Sequence, residues 1–404
     1  MTRNAGAQRA AVAARVLTAS CAILATTGNT SFARDASRVQ SFTVGASPGL
    51  ASCEGLDATN ANRARVHFPR SAEVAFRLRI AGGVGQAPAS DAAGNLIVAH
   101  GEPRVSKLDP RGQTLWTERL TSEVASSPVI TSDGSILLLT RDAEALILAP
   151  SGKPLHKSVL PFAEPLRHVL AIPTSNSGAL VASGADIAEL DAQGEVIRQT
   201  HLPGAITALA EWHSDLLAIC ENGTLVAAQI TGDFEVIGNL GGTAPEGGAA
   251  QAGKLFAIVD AHKLVAFDLS THSVVTLASD PASVLNGPVT LLENQSAVVV
   301  ADGGFLSIHA ASGAEALRVS VAEVGRAFDP ALRALRPAST ISDRAGALAA
   351  ARSGSDALIL QADGKAQRFD NTSCLDPFRP TPTRAGVVFA CRAGQLFGVS
   401  DKAP

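Results

Sequence analysis

Eight short apolar runs recur along this chain at a nearly constant spacing. Their starts lie 36 to 50 residues apart, and most intervals are close to 40. A fixed period of this length is typical of a repeat architecture, in which each unit buries its apolar face against the next unit. The runs are LIVAH at 96–100, ILLLT at 136–140, LVAS at 180–183, LLAIC at 216–220, LFAIV at 255–259, AVVVA at 297–301, ALAAA at 347–351 and VVFAC at 387–391.

Each repeat contains four segments that look like strands. A Gly-bearing turn often precedes the apolar run, as at Ser132–Gly134, and a second apolar segment follows, such as ALILA at 145–149. A more polar segment closes the repeat, as in LWTERL at 115–120. The segment ahead of the run often starts at proline, as at Pro88 and Pro128, which suits the first residue of a strand. Runs this short, bounded by Gly, Asp and Pro, predict strands rather than helices.

The repeat therefore predicts an all-β protein, an eight-bladed β-propeller of four-stranded antiparallel blades. Such sheets bury both faces only when they stack around an axis. Seven blades is the alternative, because the longest interval spans an irregular stretch at 322–339. The last repeat has no outer strand of its own, whereas VAFRLRI at 74–80 precedes the first repeat. We expect residues 74–80 to pair with the C-terminal blade, which removes two sheet edges.

The order of these segments, the inner-strand proline and the outer-strand Trp116 resemble the pyrroloquinoline-quinone-type (PQQ-like) β-propeller repeat. The resemblance covers about residues 72–401 and is clearest at 87–160. The family contains quinoprotein dehydrogenases and non-catalytic members, among them the outer-membrane assembly propeller lipoprotein. Its enzymes carry recurring docking tryptophans, a vicinal cysteine pair and acidic calcium ligands. This chain has two tryptophans, Trp116 and Trp212, and no adjacent cysteines, so the resemblance implies the non-catalytic branch and no cofactor.

The N-terminus reads as an export signal. Arg3, Arg9 and Arg15 precede an apolar stretch at 16–28, and residues 31–33 have the small-x-small pattern of a cleavage site. We therefore expect a signal peptide at 1–33, a flexible segment at 34–71 and the propeller at 72–401, in the periplasm or outside the cell. Residues 50–53 also match a lipoprotein acceptor, although no adequate apolar region precedes them. Residues 17–21 match it with the leucine one place off.

Charge composition bears on the class of partner. The chain has 33 basic and 37 acidic residues and a net charge of −4, and no basic patch stands out in the sequence. A nucleic-acid partner is therefore not expected. The prediction is a monomer that is peripheral to a membrane at most.

Four cysteines remain after the predicted signal peptide: Cys53, Cys220, Cys374 and Cys391. An oxidising compartment permits disulfides. Cys391 ends a central strand and Cys374 follows an outer strand, so both fall on the same face of a propeller and form a plausible pair. Cys220 holds the position in its repeat that Cys391 holds in the last one. Buried or unbridged thiols are the alternative, since sequence does not determine connectivity.

Two motifs resemble catalytic elements by letter alone. Gly45–Gly49 has the spacing of a hydrolase nucleophile elbow, but Pro48 follows the serine directly, and the segment precedes the propeller. His213–Asp215 contains triad residue types, but three consecutive residues cannot place a base between nucleophile and orienting acid. We interpret the first as linker and the second as a hairpin turn. The histidines show no metal-ligand spacing, so no metal is predicted.

The loops that lead into the inner strands converge on one mouth of the channel, where several side chains could contact one ligand. The sequence therefore predicts a non-enzymatic platform for a protein or peptide partner. The alternative is a quinoprotein-like or carbohydrate-directed enzyme that uses the channel mouth. An exposed apolar patch on a rim would favour the platform, and convergent acids or an Arg/His/carboxylate cluster would favour the enzyme. The candidate mouth residues are Gln86, Glu123, Ser126, Arg167, His168, Asn286, Arg379 and Thr381.

Overall fold

The structure is a computed structural model, and the part of the chain that it describes is entirely β-sheet, turn and loop. All of it belongs to one compact unit, Ser41–Pro404. The predicted signal peptide and the Gly45–Gly49 motif lie outside the described residues. These are 50–53, 60, 63–163, 165–166, 169–174, 177–212, 215–228, 234–279, 284–292, 296–301, 304–309, 315–320, 339–351, 354, 356–362, 365–371, 373–374 and 376–402.

The described strands form eight four-stranded antiparallel sheets. The first strand, β1 (Ala72–Arg79), joins sheet 8. Sheet 1 contains β2 (Ala89–Ser90), β3 (Leu96–Ala99), β4 (Arg104–Leu108) and β5 (Thr114–Arg119). Sheet 2 contains β6 (Val129–Ile130), β7 (Ile136–Leu139), β8 (Glu144–Leu148) and β9 (Pro154–Val159). Sheet 3 contains β10 (Val169–Pro173), β11 (Ala179–Ser183), β12 (Asp186–Leu190) and β13 (Val196–His201). Sheet 4 contains β14 (Ile206–Trp212), β15 (Asp215–Cys220), β16 (Thr224–Ala228) and β17 (Phe234–Asn239).

The other four sheets repeat the same order of inner, second, third and outer strand. Sheet 5 contains β18 (Gly248–Gln251), β19 (Lys254–Val259), β20 (Lys263–Asp268) and β21 (Ser273–Ser279). Sheet 6 contains β22 (Asn286–Leu291), β23 (Ser296–Ala301), β24 (Gly304–His309) and β25 (Glu315–Ser320). Sheet 7 contains β26 (Ser339–Ser342), β27 (Leu348–Ala351), β28 (Ala357–Leu360) and β29 (Ala366–Phe369). Sheet 8 contains β30 (Thr381–Pro382), β31 (Gly386–Ala390) and β32 (Gln395–Asp401) beside β1.

Sheet 8 combines segments from the two ends of the described chain. β1 runs antiparallel to β32, with Val74 opposite Val399 and Leu78 opposite Leu396. The outer strand of this sheet therefore comes from ahead of sheet 1, as the sequence predicts. The inner strands of consecutive sheets contact one another from sheet 1 to sheet 7, and those of sheets 8 and 1 do so as well. The fold is a β-propeller with four-stranded antiparallel blades.

Burial follows the position of each strand within its sheet. β3, β7 and β31 are buried along their whole length, because they lie between two neighbouring sheets. Outer strands such as β5 and β13 alternate between exposed and partly buried residues, as expected where only one face is covered. The described part of the chain contains no helix long and apolar enough to span a membrane.

The two ends of the channel carry different connections. The upper face, in our naming, carries the loops that lead into the inner strands and the turns between second and third strands. The lower face carries the turns between inner and second strands and those between third and outer strands. These assignments follow from the up-and-down order of the four strands.

An N-terminal strap, residues 50–53, 60 and 63–71, lies against the inner strands. Ala51 forms an antiparallel bridge with Ser90, and the carbonyl of Ser52 accepts the N–H of Ile130 at 2.9 Å. Further along, Arg63 forms a parallel bridge with Ser342 on sheet 7. The strap thus occupies backbone groups on the channel edge of sheets 1, 2 and 7.

The strap is also part of the core. Ala51, Cys53, Ala64 and Phe68 are all buried, and Cys53 packs with the apolar residues of sheets 2 and 3. The sequence analysis did not anticipate these contacts, because backbone bonding to an exposed inner edge leaves no periodic signal in so short a segment. The flexibility of the whole segment 34–71 stays a prediction.

Candidate functional site

The upper face is fixed by a backbone pattern that repeats from sheet to sheet. In each case the N–H of the turn between second and third strands donates to a carbonyl of the loop leading into the same sheet. We call these backbone bonds brackets, because each one holds an upper-face loop against the turn of the same sheet. The bonds are Arg141 to Glu123 at 2.8 Å, Glu221 to Ala205 at 2.7 Å, Asp260 to Thr243 at 2.9 Å and Arg392 to Asp376 at 3.0 Å.

Ion pairs reinforce the brackets in two sheets. Arg141 Nε lies 3.2 Å from Glu123 Oε2 in sheet 2, and Arg392 Nε donates to Asp376 Oδ2 at 2.6 Å in sheet 8. Both pairs are partly exposed, so each contributes little to stability by itself. Their effect is to set the loop position.

Arg392 is an upper-face residue that the sequence analysis missed, and it contacts both sheet 8 and the loop leading into sheet 1. Besides its bond to Asp376, its Nη1 donates to Gly85 O at 3.3 Å, and its guanidinium carbon lies 5.1 Å from the Phe378 ring centroid. The carbonyl of Arg392 accepts the N–H of Val84 at 3.1 Å. Arg392 therefore links sheet 8 to the loop leading into sheet 1. In the sequence, the position of Arg392 directly after Cys391, a candidate disulfide residue, could have identified it.

Three of the predicted mouth residues contact neighbouring chain segments. Gln86 Nε2 donates to Val124 O at 3.3 Å and to Ala125 O at 3.1 Å, which joins the loops of sheets 1 and 2. Thr381, which is buried, donates from Oγ1 to Pro88 O at 3.1 Å, which joins sheets 8 and 1. Glu123 forms the ion pair with Arg141.

The other predicted mouth residues do not share one environment. Ser126 is buried and donates to Ser127 O at 3.1 Å. Arg379 is half-buried ahead of β30, and Asn286 opens β22. Arg167 and His168 lie outside the described residues. The role of the whole set in ligand binding stays a prediction.

The structure contains the Cys374–Cys391 disulfide that the sequence made plausible. It ties the loop ahead of β30 to the end of β31, next to Asp376 and Arg392. Cys220 is equivalent to Cys391, because the backbone carbonyl of each accepts an N–H from a turn glycine three residues later. The donors are Gly223 and Gly394, and both bonds are 2.8 Å long. Cys220 is buried within the core, and burial raises the pKa of its thiol. A buried, protonated thiol is unreactive.

A histidine–serine pair in sheet 1 has the distance of a catalytic couple but not its surroundings. His100 Nε2 lies 2.9 Å from Ser106 Oγ, which lies 2.9 Å from Thr117 Oγ1. The other ring nitrogen of His100, Nδ1, lies 3.2 Å from the carbonyl of Ala81 rather than from a carboxylate. Burial lowers the pKa of His100, and nearby Arg104 lowers it further. Ser106 is buried between strands, so this network holds the sheet together and offers no nucleophile to a substrate.

Acidic groups do not converge on one point in the described structure. No group of three or more His, Cys, Asp or Glu side chains suited to a metal ion occurs among the described residues. Glu246, on the upper loop ahead of β18, has a pKa raised by burial. It is a single carboxyl rather than a cluster.

The outer rim of sheets 1 to 3 carries a row of exposed apolar side chains. Leu115, Leu155 and Ile197 are 54%, 48% and 53% exposed. Each is the extra residue at a register shift in its outer strand, so all three hold equivalent positions. A bulge of this kind redirects the side chain outward.

The outer strands of sheets 1 and 2 are each bonded to a turn of the next sheet. Trp116 Nε1 on β5 donates to Pro150 O of sheet 2 at 3.1 Å, and its ring lies against Gly152. Ser158 Oγ on β9 donates to Gly194 O of sheet 3. Trp116 is thus a packing residue between sheets 1 and 2.

Residues 56–214 match the family model described as outer membrane protein assembly factor BamB. The crystal structure of BamB from Moraxella catarrhalis is 16% identical with a TM-score of 0.61, over 82% of this chain and 98% of that chain. The computationally designed Ika8 protein is 14% identical with a TM-score of 0.61, over 80% and 98%. Streptogramin B lyase is 13% identical with a TM-score of 0.50, over 83% and 99%. No curated protein sequence matches the chain.

These matches confirm the predicted resemblance to the PQQ-like propeller and to BamB. At 13% to 16% identity the solved structures share the fold alone. Because the same fold appears in an assembly factor, a designed protein and a lyase, the fold by itself does not decide the activity.

Proposed function

We propose that this protein is a non-enzymatic, exported β-propeller that binds a protein or peptide partner in the cell envelope or outside the cell. The observation that carries the proposal is the apolar row of Leu115, Leu155 and Ile197. Covering side chains that are about half exposed adds roughly 1 kcal/mol each to a complex. Their shared position on three neighbouring strands favours one extended contact over three unrelated exposures.

We also infer that the eight sheets are the blades of a single ring, with both segments of sheet 8 in one blade. Ser90 Oγ donates to Pro382 O at 2.6 Å, and Thr381 Oγ1 donates to Pro88 O. Both bonds connect sheet 1 with sheet 8. A closed ring holds the outer rim rigid, and a rigid surface loses less conformational entropy when it binds.

The contacts of the upper face support a scaffold rather than a reaction centre. Gln86, Thr381 and Arg392 bond to neighbouring sheets, and Glu123 and Asp376 pair with arginines of their own sheets. To bind a substrate, these polar groups would have to give up the hydrogen bonds and ion pairs that they make within the fold. The fit to the non-catalytic branch of the family, which carries no cofactor, is consistent with this assignment.

The location that we propose is the periplasm or the exterior, without a lipid at Cys53. The Cys53 side chain is 2% exposed and packs against Val129 and Val169. Attaching an acyl chain there would require pulling the strap out of the core. The Cys374–Cys391 disulfide supports an oxidising compartment.

The test of the proposal is capture of a partner from envelope extract by chemical crosslinking. The triple variant Leu115→Ser/Leu155→Ser/Ile197→Ser is expected to lose the captured partner that the unaltered protein retains. Val236→Ser/Val275→Ser removes two other exposed side chains, on β17 and β21, and serves as the control that keeps binding. Equal capture by all three proteins would contradict the proposed surface. Dye reduction after addition of the quinone and calcium would instead establish the enzyme.

A further inference from the structure

The N-terminal strap presents a basic edge to solvent. From 63 to 68 its residues alternate, with Ala64 and Phe68 buried and Arg65 and His67 exposed. Val66 between them is partly buried, so this part of the strap keeps one side toward the core. Arg63 is partly exposed on the outward side, and Arg70, just after the alternating stretch, is exposed.

Two turns of the lower face add arginines beside the strap. Arg344 is exposed in the turn that follows Ser342, the residue bridged to Arg63. Arg384 is exposed in the turn of sheet 8. That turn ends at Gly386, which lies against Pro69 of the strap. We call Arg63, Arg65, Arg70, Arg344 and Arg384 the arginine patch.

Two acids lie beside the patch, and one of them is turned inward. Asp343 is 2% exposed, and its Oδ2 accepts the N–H of Phe68 at 2.8 Å. Asp401, the exposed last residue of β32, accepts the backbone N–H groups of Arg70 and Ser71. Among the described residues no ion pair joins an acid to any guanidinium of the patch.

The patch does not stand out in the sequence because its members come from three separate stretches, 63–70, 344 and 384, and only the fold brings them together. The chain as a whole carries a net charge of −4. A local excess of positive charge on such a molecule sets up a directed electrostatic field.

We propose that the arginine patch binds the surface of an anionic phospholipid bilayer, with the lower face of the propeller toward the membrane. The five groups come from the strap and from two turns of the lower face. The apolar strap residues Ala64, Phe68 and Pro69 are buried. A protein partner generally needs a buried apolar anchor at the centre of its contact. A layer of lipid phosphates requires only exposed cations.

The orientation keeps the outer rim free. The apolar row lies on the outer strands of sheets 1 to 3, whereas the patch lies on the strap and the turns of sheets 7 and 8. One molecule could therefore rest on a membrane and bind a protein partner at the same time. The membrane contact does not depend on the identity of that partner.

The experiment is cosedimentation of the full chain with phosphatidylcholine vesicles that contain either no phosphatidylglycerol or about 30% of it. The higher fraction gives roughly the anionic charge density at which polybasic segments bind a membrane. The test variant is Arg65→Gln/Arg384→Gln. The control is Arg104→Gln/Arg141→Gln, which removes the same charge from the upper face, where these arginines pair with Glu102 and Glu123. Arg3, Arg9 and Arg15 are common to all three proteins, so any contribution from them cancels.

The unaltered protein and the control should bind the anionic vesicles, bind neutral vesicles far more weakly, and lose binding as salt rises. The test variant should bind about fivefold more weakly for each arginine removed. Equal binding by test and control variants, or equal binding to both vesicle types, would overturn the proposal. So would displacement by millimolar inorganic phosphate, which would indicate a site for a single anion. Binding of poly-glutamate or duplex DNA by the patch without vesicle binding would overturn it as well.

Discussion

The backbone N–H of Phe68 donates to the carboxylate of Asp343 at 2.8 Å, across 275 residues of chain. The other oxygen of the same carboxylate accepts the N–H groups of Ala345 and Ala347, both at 2.8 Å. One buried acid thus fixes a turn of sheet 7 and anchors the strap above it. The strap and the turn therefore share one carboxylate as a hydrogen-bond acceptor.

Replacing Asp343 with alanine should lower the free energy of unfolding by roughly 3 kcal/mol, because hydrogen bonds to a charged group are lost and a buried N–H loses its partner. Asp191→Ala is the matched control. Asp191 makes the same two turn bonds, to Gln193 and Glu195, at an exposed turn without the strap. The control should cost roughly 1 kcal/mol. Urea unfolding followed by fluorescence measures both, and equal losses would contradict the anchoring role.

Gly152→Ala should destabilise the contact between sheets 1 and 2. Gly152 has φ +89°, and an added Cβ would come within 2.7 Å of the Trp116 ring. Backbone strain of roughly 1 to 2 kcal/mol then adds to an overpacking cost of roughly 1 to 3 kcal/mol. Gly134→Ala provides the comparison, since its φ is +86° and its nearest neighbour, Pro150 Cγ, is 3.9 Å away.

The Gly134 variant should show the backbone cost alone and leave the fluorescence of Trp116 unchanged. The Gly152 variant should shift that emission as the ring moves. Thermal unfolding and emission spectra measure these effects. A Gly152 variant as stable as the Gly134 variant would show that the ring yields without cost.

Removing the disulfide should lower stability by roughly 3 kcal/mol, the value expected for a loop of this size. The two cysteines lie 17 residues apart. Cys374→Ser/Cys391→Ser should therefore unfold at lower denaturant, and reductant should affect the unaltered protein but not this variant. Cys220→Ser retains the disulfide and should keep the response to reductant. A reductant-insensitive unaltered protein would contradict the prediction.

Acidification should weaken the protein through His100. Burial lowers the pKa of His100 below its ordinary value of 6.5 in the folded state. The unfolded state then binds more protons, so the stabilisation is fully present above pH 6.5 and is lost as the pH falls toward the folded-state pKa. Denaturant midpoints measured between pH 8 and pH 5 should therefore decline. His100→Val should show a smaller decline than the unaltered protein, and an identical slope would refute the assignment.

The sequence was sufficient to predict the sheets because each repeat carries its own strand pattern and turn chemistry. The pairing of 74–80 with the C-terminal segment followed from counting strands. The Cys374–Cys391 pair was plausible because both residues fall on the same face. These predictions rely on order along the chain, which a single sequence contains.

Features that depend on meeting in space were out of reach. The strap bonds through backbone groups of Ser90 and Ile130, which have no sequence signature. The arginine patch assembles residues from three distant stretches. The apolar row depends on register shifts that place Leu115 and its equivalents outward. Each requires the relative placement of strands before it can be recognised.

The pairing of β1 with β32 determines when folding can finish. Val74 is synthesised more than three hundred residues before its partner Val399. Until that partner has been synthesised, β1 has an unpaired hydrogen-bonding edge and sheet 8 is incomplete. Such an edge invites aggregation in an unfinished chain. Chains truncated ahead of Gln395 should accordingly need chaperones to stay in solution.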